Sequence, residues 1–165
     1  MQNLNAIDIR PYTEKDLPEL RALHAMSFKA LAAGSHSAEQ IFAHIRFMNT
    51  DDYAADVARS NVLCARDERG DLCATAGWLR MDGAPDTARI RKVFVHPELS
   101  GQGLGRRMVI ANEISARSHG TEDYFVRANI NATGFYKRLG YREIKPGVMT
   151  VSGGINLPVM FMHKA

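Results

Sequence analysis

Apolar residues recur along the chain with two alternating periods, and the switches between them mark out a succession of short elements. Ile7–Pro11 reads as a strand. Leu17, Leu20, Leu23, Ala25 and Phe28 then fall at helical spacing behind Thr13 or Asp16, either of which can cap a helix. Gly34 and Ser35 break that helix. Ser37 caps a second one carrying Ile41, Ile45 and Phe47, and Gln40 stands where a capping box needs it. Asn61–Arg66 and Leu72–Met81 read as strands joined by the turn Asp67-Glu68-Arg69-Gly70, with Asp82–Asp86 as a polar loop and Arg89–Val95 as the next strand. A long helix comes next over Gly103–His119, closed by Gly120. Asp123–Ala128 is a strand, Asn131–Leu139 a short helix stopped by Gly140, and Tyr141–Val151 with Leu157–His163 a last hairpin across Ser152-Gly153-Gly154. The order β-α-α-β-β-β-α-β-α-β-β, with its hairpins and one β-α-β crossover, predicts an α+β (α/β) fold: a mixed, mostly antiparallel sheet of six to seven strands with helices on both faces.

Composition narrows the class without naming it. At 165 residues, with 45% apolar and 24% charged residues, the expectation is a single globular domain over 1–165. A net charge of +3 is too small and too dispersed for a nucleic-acid-binding stripe, though it suits a phosphate-bearing ligand. Cys64 and Cys73 lie in apolar strand-like runs and read as buried thiols of a reducing compartment. Asp8 and Arg10 interrupt the N-terminus where a signal peptide would need an apolar run, and no stretch approaches the roughly 20 apolar residues of a membrane span. A cytoplasmic location is the expectation.

The chemistry concentrates after Val93-Phe94-Val95. Pro97 ends the strand, and Ser100-Gly101-Gln102-Gly103-Leu104-Gly105 leads directly into the long helix. Alternate glycines let bare N–H groups turn inward, and the first helical turn adds unpaired donors and the positive end of its dipole. Arg106 and Arg107 place positive charge beside the loop. The arrangement suits a pyrophosphate. The dinucleotide pattern G-x-G-x-x-G and the phosphate-loop pattern G-x-x-x-x-G-K-[ST] are both absent.

This segment resembles the acetyl-CoA loop of the GNAT (Gcn5-related N-acetyltransferase) superfamily, Arg/Gln-x-x-Gly-x-Gly/Ala after a strand ending Val-His-Pro; Ser100 replaces the usual Arg or Gln. A second segment, Asn129-Ile-Asn131-Ala132-Thr-Gly-Phe135-Tyr136-Lys-Arg-Leu139-Gly140-Tyr141, is similar to the superfamily's Asn-x-x-Ala-x-x-Phe/Tyr-Tyr-x-x-x-Gly-Phe/Tyr. The element order agrees along nearly the whole chain. The resemblance implies a GNAT acyl-CoA N-acyltransferase fold and transfer of an acetyl group from acetyl-CoA to a primary amine by direct attack in a ternary complex; the sequence does not name the acceptor, with a small molecule the first expectation and an amino acid, a drug or a protein terminus left open. It implies that Tyr136 is the general acid for the departing thiolate. A phenol with pKa about 10 stays protonated at neutral pH and can make that donation. It further implies that the Val93 N–H polarises the thioester carbonyl, that the Val95 N–H holds the pantetheine in a gap beside the next strand, and that Phe94 between them also binds the cofactor. Ser100, Gly101, Gln102, Gly103, Leu104, Gly105 and Arg106 then hold the pyrophosphate, almost entirely through the backbone, and Asn129 or Asn131 bonds pantetheine amides. Asn131, just before a helix, also reads as an N-cap.

One expected part is missing. Some members carry a glutamate base four residues before the oxyanion donor, and here that residue is Arg89, which cannot accept a proton. His24, His36 and His44 are alternatives, as is an amine that arrives deprotonated; His96 reads as structural and Glu98 as solvated. No histidine has metal-ligand spacing, so no metal is expected. Asp51, Asp52, Asp56, Asp82 and Asp86 favour a cationic amine if they rim a pocket, and are otherwise solvated surface. Trp78 after Gly77 reads as a pocket floor or as core. Ser100 and the absent glutamate also admit an acyl-CoA-binding sensor without chemistry. Val159, Phe161 and Met162 in the last hairpin are apolar residues through which two subunits of a homodimer can pair.

Overall fold

Strand propensity and caps place the elements much as their patterns suggest, and the differences lie where tertiary contacts decide. The computed structural model describes residues 3–165; residues 1 and 2 of the expected domain lie outside the described residues. The strands are β1 (Asp8–Pro11), β2 (Leu63–Arg66), β3 (Leu72–Met81), β4 (Ala84–Val95), β5 (Asp123–Asn129), β6 (Arg142–Val151) and β7 (Ile155–Lys164), and the helices α1 (Leu17–Ala32), α2 (Ala38–Met48), α3 (Asp51–Arg59), α4 (Leu104–Ser118) and α5 (Thr133–Arg138). They form one seven-stranded sheet in the order β1-β2-β3-β4-β5-β7-β6. Only β4 and β5 run parallel, with α4 as the crossover that a parallel pair requires. No described helix is long and apolar enough to cross a membrane.

Strand alternation divides the core between the two faces. Val62 and Cys64 pack with Leu20, Phe28, Met48, Tyr53 and Val57 of α1, α2 and α3. Ala65, Ala74 and Ala76 face Leu104 and Met108 of α4. Ala88 and Ile90 of β4 meet Val109, Ala116, Val126 and Tyr136. Trp78 belongs to this last cluster, 4% exposed, with its indole N–H on Ser115 Oγ at 3.1 Å, and is core rather than a pocket floor. Cys64 and Cys73 are buried free thiols.

Four local expectations change. A third helix, α3, occupies the acidic stretch after α2; the Thr50 hydroxyl caps it by accepting from the Tyr53 N–H, and Asp51 and Asp52 sit favourably in its first turn. The loop Asp82–Asp86 shrinks to a tight turn, because β4 begins at Ala84. Asn131 is not the cap of a regular helix: the Asn129 side chain accepts from the Asn131 N–H and caps a single 3-10 turn, Ile130–Ala132, ahead of α5. The final hairpin enters the sheet with β7 inside and β6 at the edge. Val159 and Met162 are therefore buried against neighbouring strands and cannot pair with a second subunit.

Two irregularities of β4 open the middle of the sheet. Between the pairs Thr75–Phe94 and Gly77–Arg91, Lys92 and Val93 together stand opposite Ala76 alone, a bulge with Lys92 at φ 55°. On its other edge β4 pairs with β5 only from Thr87–Asp123 to Ile90–Val126, after which the strands part.

Candidate active site

The parting of β4 and β5 opens two cavities that meet at their apex. One, of about 910 Å³, runs past Ser27, Val95, Pro97, the glycine loop and Phe135; the other, of about 460 Å³, lies between the β4–β5 edge, α2, α3 and β7. Leu31, Val93, Ala132 and Tyr136 line both.

The larger cavity is built mainly from backbone. His96 N–H donates to Cys73 C=O at 2.8 Å, so alternation turns the Val95 N–H away from β3 and toward the open edge. It does not hang free: it donates to Ser27 Oγ at 3.3 Å, where the resemblance places pantetheine. Val93, two residues earlier, belongs to the bulge and lines both cavities. Gly101 and Gly103 have φ of 76° and 87°, a left-handed geometry that disfavours any side chain, and an added Cβ at either meets open space. Gly105 has another role: a Cβ there would press within 3.3–3.4 Å of Phe135 and Val95. The N-terminus of α4 opens at this loop, with Gly103 as its cap. Ser100, Gly101, Gly103, Gly105, Arg106 and Asn131 line the cavity.

Other candidates point elsewhere. Arg107 does not add charge to the loop; its guanidinium donates to Leu4 C=O at 2.8 Å. Gln102 donates back to Glu98 C=O, and Leu104 is buried in the core. Phe94 stacks on His24 at 4.0 Å between centroids and, like Asn129, lines the smaller cavity. The Asn131 amide donates to Leu31 C=O and Ser35 Oγ, which fastens the turn before α5 to the end of α1. His96 is structural, its Nδ1 accepting from the Glu98 N–H.

Tyr136 stands at the junction, 5% exposed, its ring edge-on to Phe135 and Tyr141. Burial alone pushes its hydroxyl well above the usual phenol value, so it is a protonated donor across the physiological range.

The smaller cavity is built from charged side chains. The β4 alternation that buries Ala88 and Ile90 against α4 turns Arg89 and Arg91 to the opposite face, and the bulge brings Lys92 beside them. Asp56 of α3 receives Arg91, Lys92 Nζ at 2.9 Å and Arg59 at 2.8 Å. Its carboxyl is held down to about 2 by Lys92 first, then Arg91 and Arg59, against the opposing effect of its own burial. Lys92, 3.9 Å above the Tyr53 ring, is brought down to about 8 by burial, with Asp56 working the other way. Arg89 has no carboxylate partner among the described residues, and its Nε and the Nε and Nη1 of Arg91 are buried without hydrogen-bond partners. Burial and the neighbouring Arg91 and Arg127 push Arg89 down to about 9.

The histidines separate by geometry. His24 is fully buried; Thr75 Oγ1 donates its proton to Lys92 C=O at 2.7 Å and so accepts from His24 Nε2 at 2.7 Å, leaving Nδ1 to accept from Tyr53 Oη at 2.6 Å. Both ring nitrogens are engaged, and the network braces the bulge at Lys92. His36 lines neither cavity. His44 lines the smaller one, but burial holds it down to about 4. Taking a proton from an ammonium of pKa about 10 would then cost roughly 8 kcal/mol. Of the acidic candidates, Asp52 and Asp56 line the smaller cavity, whereas Asp51, Asp82 and Asp86 line neither. Sequence reasoning missed Arg91, Lys92 and the role of Asp56, since only the bulge and α3 bring them together.

Comparison with known proteins bears on the family and the fold. Residues 32–163 match the family model of the acetyltransferase (GNAT) domain. Among solved structures, the GCN5-related N-acetyltransferase (Aminotransferase, Class-II) of Rhodopseudomonas palustris is 25% identical over 100% of this chain and 98% of its own, with a TM-score of 0.84. The PaiA N-acetyltransferase of Thermoplasma acidophilum, solved with coenzyme A, is 19% identical over 96% and 98%, with a TM-score of 0.74. A GNAT family acetyltransferase of Brucella melitensis, solved with acetyl-CoA, is 19% identical over 82% of each chain, with a TM-score of 0.61. No curated protein matches in sequence.

Proposed function

The chain belongs to the GNAT acetyltransferase family, and from that premise we propose that it transfers the acetyl group of acetyl-CoA directly to a primary amine of a small molecule. The observation that carries the reading is the meeting of two unlike cavities at Val93 and Tyr136. The larger fits a CoA-type ligand: an N–H-bearing strand edge for the amides, and glycines, a helix N-terminus and Arg106 for the pyrophosphate.

The chemistry needs little of the side chains. The Val93 N–H donates to the thioester oxygen as negative charge builds there, a role worth about 3 kcal/mol where the donor is fixed. The amine nitrogen forms its bond to the acyl carbon as the carbon–sulfur bond breaks. Tyr136 gives its proton to the departing sulfur and recovers one from the amine side through water. Burial, and then the Arg91 and Arg89 charges, hold the Lys92 ammonium down to about 8, and the same surroundings disfavour a protonated acceptor amine. The acceptor therefore reacts as its free base, and Arg89 in the glutamate position is consistent with that route. Holding both reactants at one apex supplies most of the acceleration.

The test is CoA release from acetyl-CoA over a panel of amines. Turnover with at least one amine is expected, and Tyr136→Phe should lower kcat by about 10²–10⁴-fold with acetyl-CoA affinity unchanged. Unchanged turnover in that variant removes the acid role. Tight acetyl-CoA binding with no release for any amine would favour the sensor reading, which Ser100 and Arg89 motivate.

A further inference from the structure

We infer that the natural acceptor is an amine that also carries an anionic group, a carboxylate or a phosphate, bound by Arg89 and Arg91 in the smaller cavity. The inference rests on the acetyl-transfer reading for the amine, but its anion site stands on separate observations.

The first is unpaired charge. A buried guanidinium is costly unless its donors are satisfied. Arg89 has no carboxylate within the described residues and a buried Nε without a partner; Arg91 spends one nitrogen on Asp56 and leaves Nε and Nη1 unpartnered. Buried donors without partners are rare in folded proteins, and their presence beside a cavity marks the place a ligand fills.

The second is charge balance. Arg59, Arg89, Arg91, Lys92 and Arg127 line the cavity against Asp52 and Asp56. Asp56 is already shared by three cations, so its charge is spent, and Arg89 and Arg127 find no internal counter-ion among the described residues. Low-dielectric walls of one sign concentrate ligands of the other. The expectation that acidic residues select a cationic amine is thus reversed.

The third is geometry. Guanidinium groups match carboxylate and phosphate oxygens in paired hydrogen bonds. Arg89 precedes Val93 by four strand residues, about 13 Å if fully extended and less across the bulge. With the reach of the side chain, the anion sits several bonds from the reacting nitrogen. A cavity of about 460 Å³ holds a molecule of that size.

The experiment pairs amines that differ only in the anion: β-alanine against propylamine, γ-aminobutyrate against butylamine, 6-aminohexanoate against hexylamine, and phosphoethanolamine against ethanolamine. At least one anionic member should exceed its neutral partner by more than tenfold in kcat/KM, and the better of the carboxylate and phosphate arms names the group. Arg89→Gln should bring that ratio near one, and Arg91→Gln should lower it. Independently of turnover, phosphate or acetate should raise the Tm of the CoA-bound wild type and fail to raise that of Arg89→Met. Equal rates for both members of every pair would overturn the inference and leave acetyl transfer standing. CoA release from no amine, with anion stabilisation that depends on Arg89, would overturn acetyl transfer and leave the anion site standing. A preference that survives both Arg variants would overturn the assignment of these residues.

Discussion

The two cavities solve recognition in opposite ways. The larger one presents main-chain N–H groups, glycines and a helix end, all positioned by the strand and loop that carry them. The smaller one presents guanidinium and ammonium groups held together by a single shared carboxylate, with several donors left over. Backbone recognition is local and cheap to maintain, and it tolerates variation in side chains such as Ser100. Recognition by buried charge is assembled from distant segments and costs stability. Each cavity therefore fails differently when disturbed, and the failures can be measured apart.

The largest effect should come from the charged side. Asp56→Ala leaves Arg91 and Lys92 without their common counter-ion, and breaking such a pair costs about 3–5 kcal/mol. Urea unfolding of the apo-protein should report that loss, while acetyl-CoA affinity, measured by calorimetry on the folded fraction, should stay within about threefold of wild type because Asp56 does not line the larger cavity. A loss of acetyl-CoA affinity would break the separation. Next in size is the backbone side. Gly103→Val must hold a β-branched residue at φ 87°, a strain of about 1–3 kcal/mol, and sets methyl groups into open cavity space. Acetyl-CoA affinity should fall by at least tenfold, and normal affinity would overturn the assignment of the loop.

The smallest effect is a pH dependence confined to the smaller cavity. His44 titrates near 4 in the fold and near 6.5 when unfolded, because burial disfavours its charge, with Lys92 and then His36 adding to the same effect. Between these values the unfolded chain binds the extra proton, so stability rises with pH through the window and is lost as pH falls from 6.5 toward 4. Lowering pH from 8 to 6 should cost about 1 kcal/mol, and His44→Phe should flatten that slope. His24, also held well below its ordinary value by burial, adds in the same direction. An unchanged slope in His44→Phe would remove His44 as its source.

The same contrast explains what the sequence could reveal. The glycine loop and the Asn129–Tyr141 segment are local patterns, so the family resemblance could be read directly, and most of the strand and helix order with it. The charged cavity is not local. Its floor depends on α3, whose buried face amounts to Tyr53 and Val57 amid Asp51, Asp52, Asp56 and Arg59, a pattern that reads as solvated surface. The available signal was Thr50 ahead of an acidic first turn. The bulge at Lys92 has no glycine to announce it. Nor does a hairpin pattern tell which of its strands lies inside; the depth of β7 became visible only from its ladder with β5.

The brief pairing between β4 and β5 has a mechanical consequence. Among the described residues, four ladder pairs, Thr87–Asp123 to Ile90–Val126, and the Glu122 N–H donating to Asp86 C=O at 2.8 Å stitch one half of the sheet to the other. Val93 rides on one half; Tyr136 rides on α5, carried by the other. The backbone seam between the half that carries Val93 and the half that leads to Tyr136 is therefore short, and the packing of Ile90 with Val126 and Tyr136 spans it. Ile90 and Val126, which pair at the last rung of the seam, are thereby the residues through which a change in packing would reach the spacing of Val93 and Tyr136.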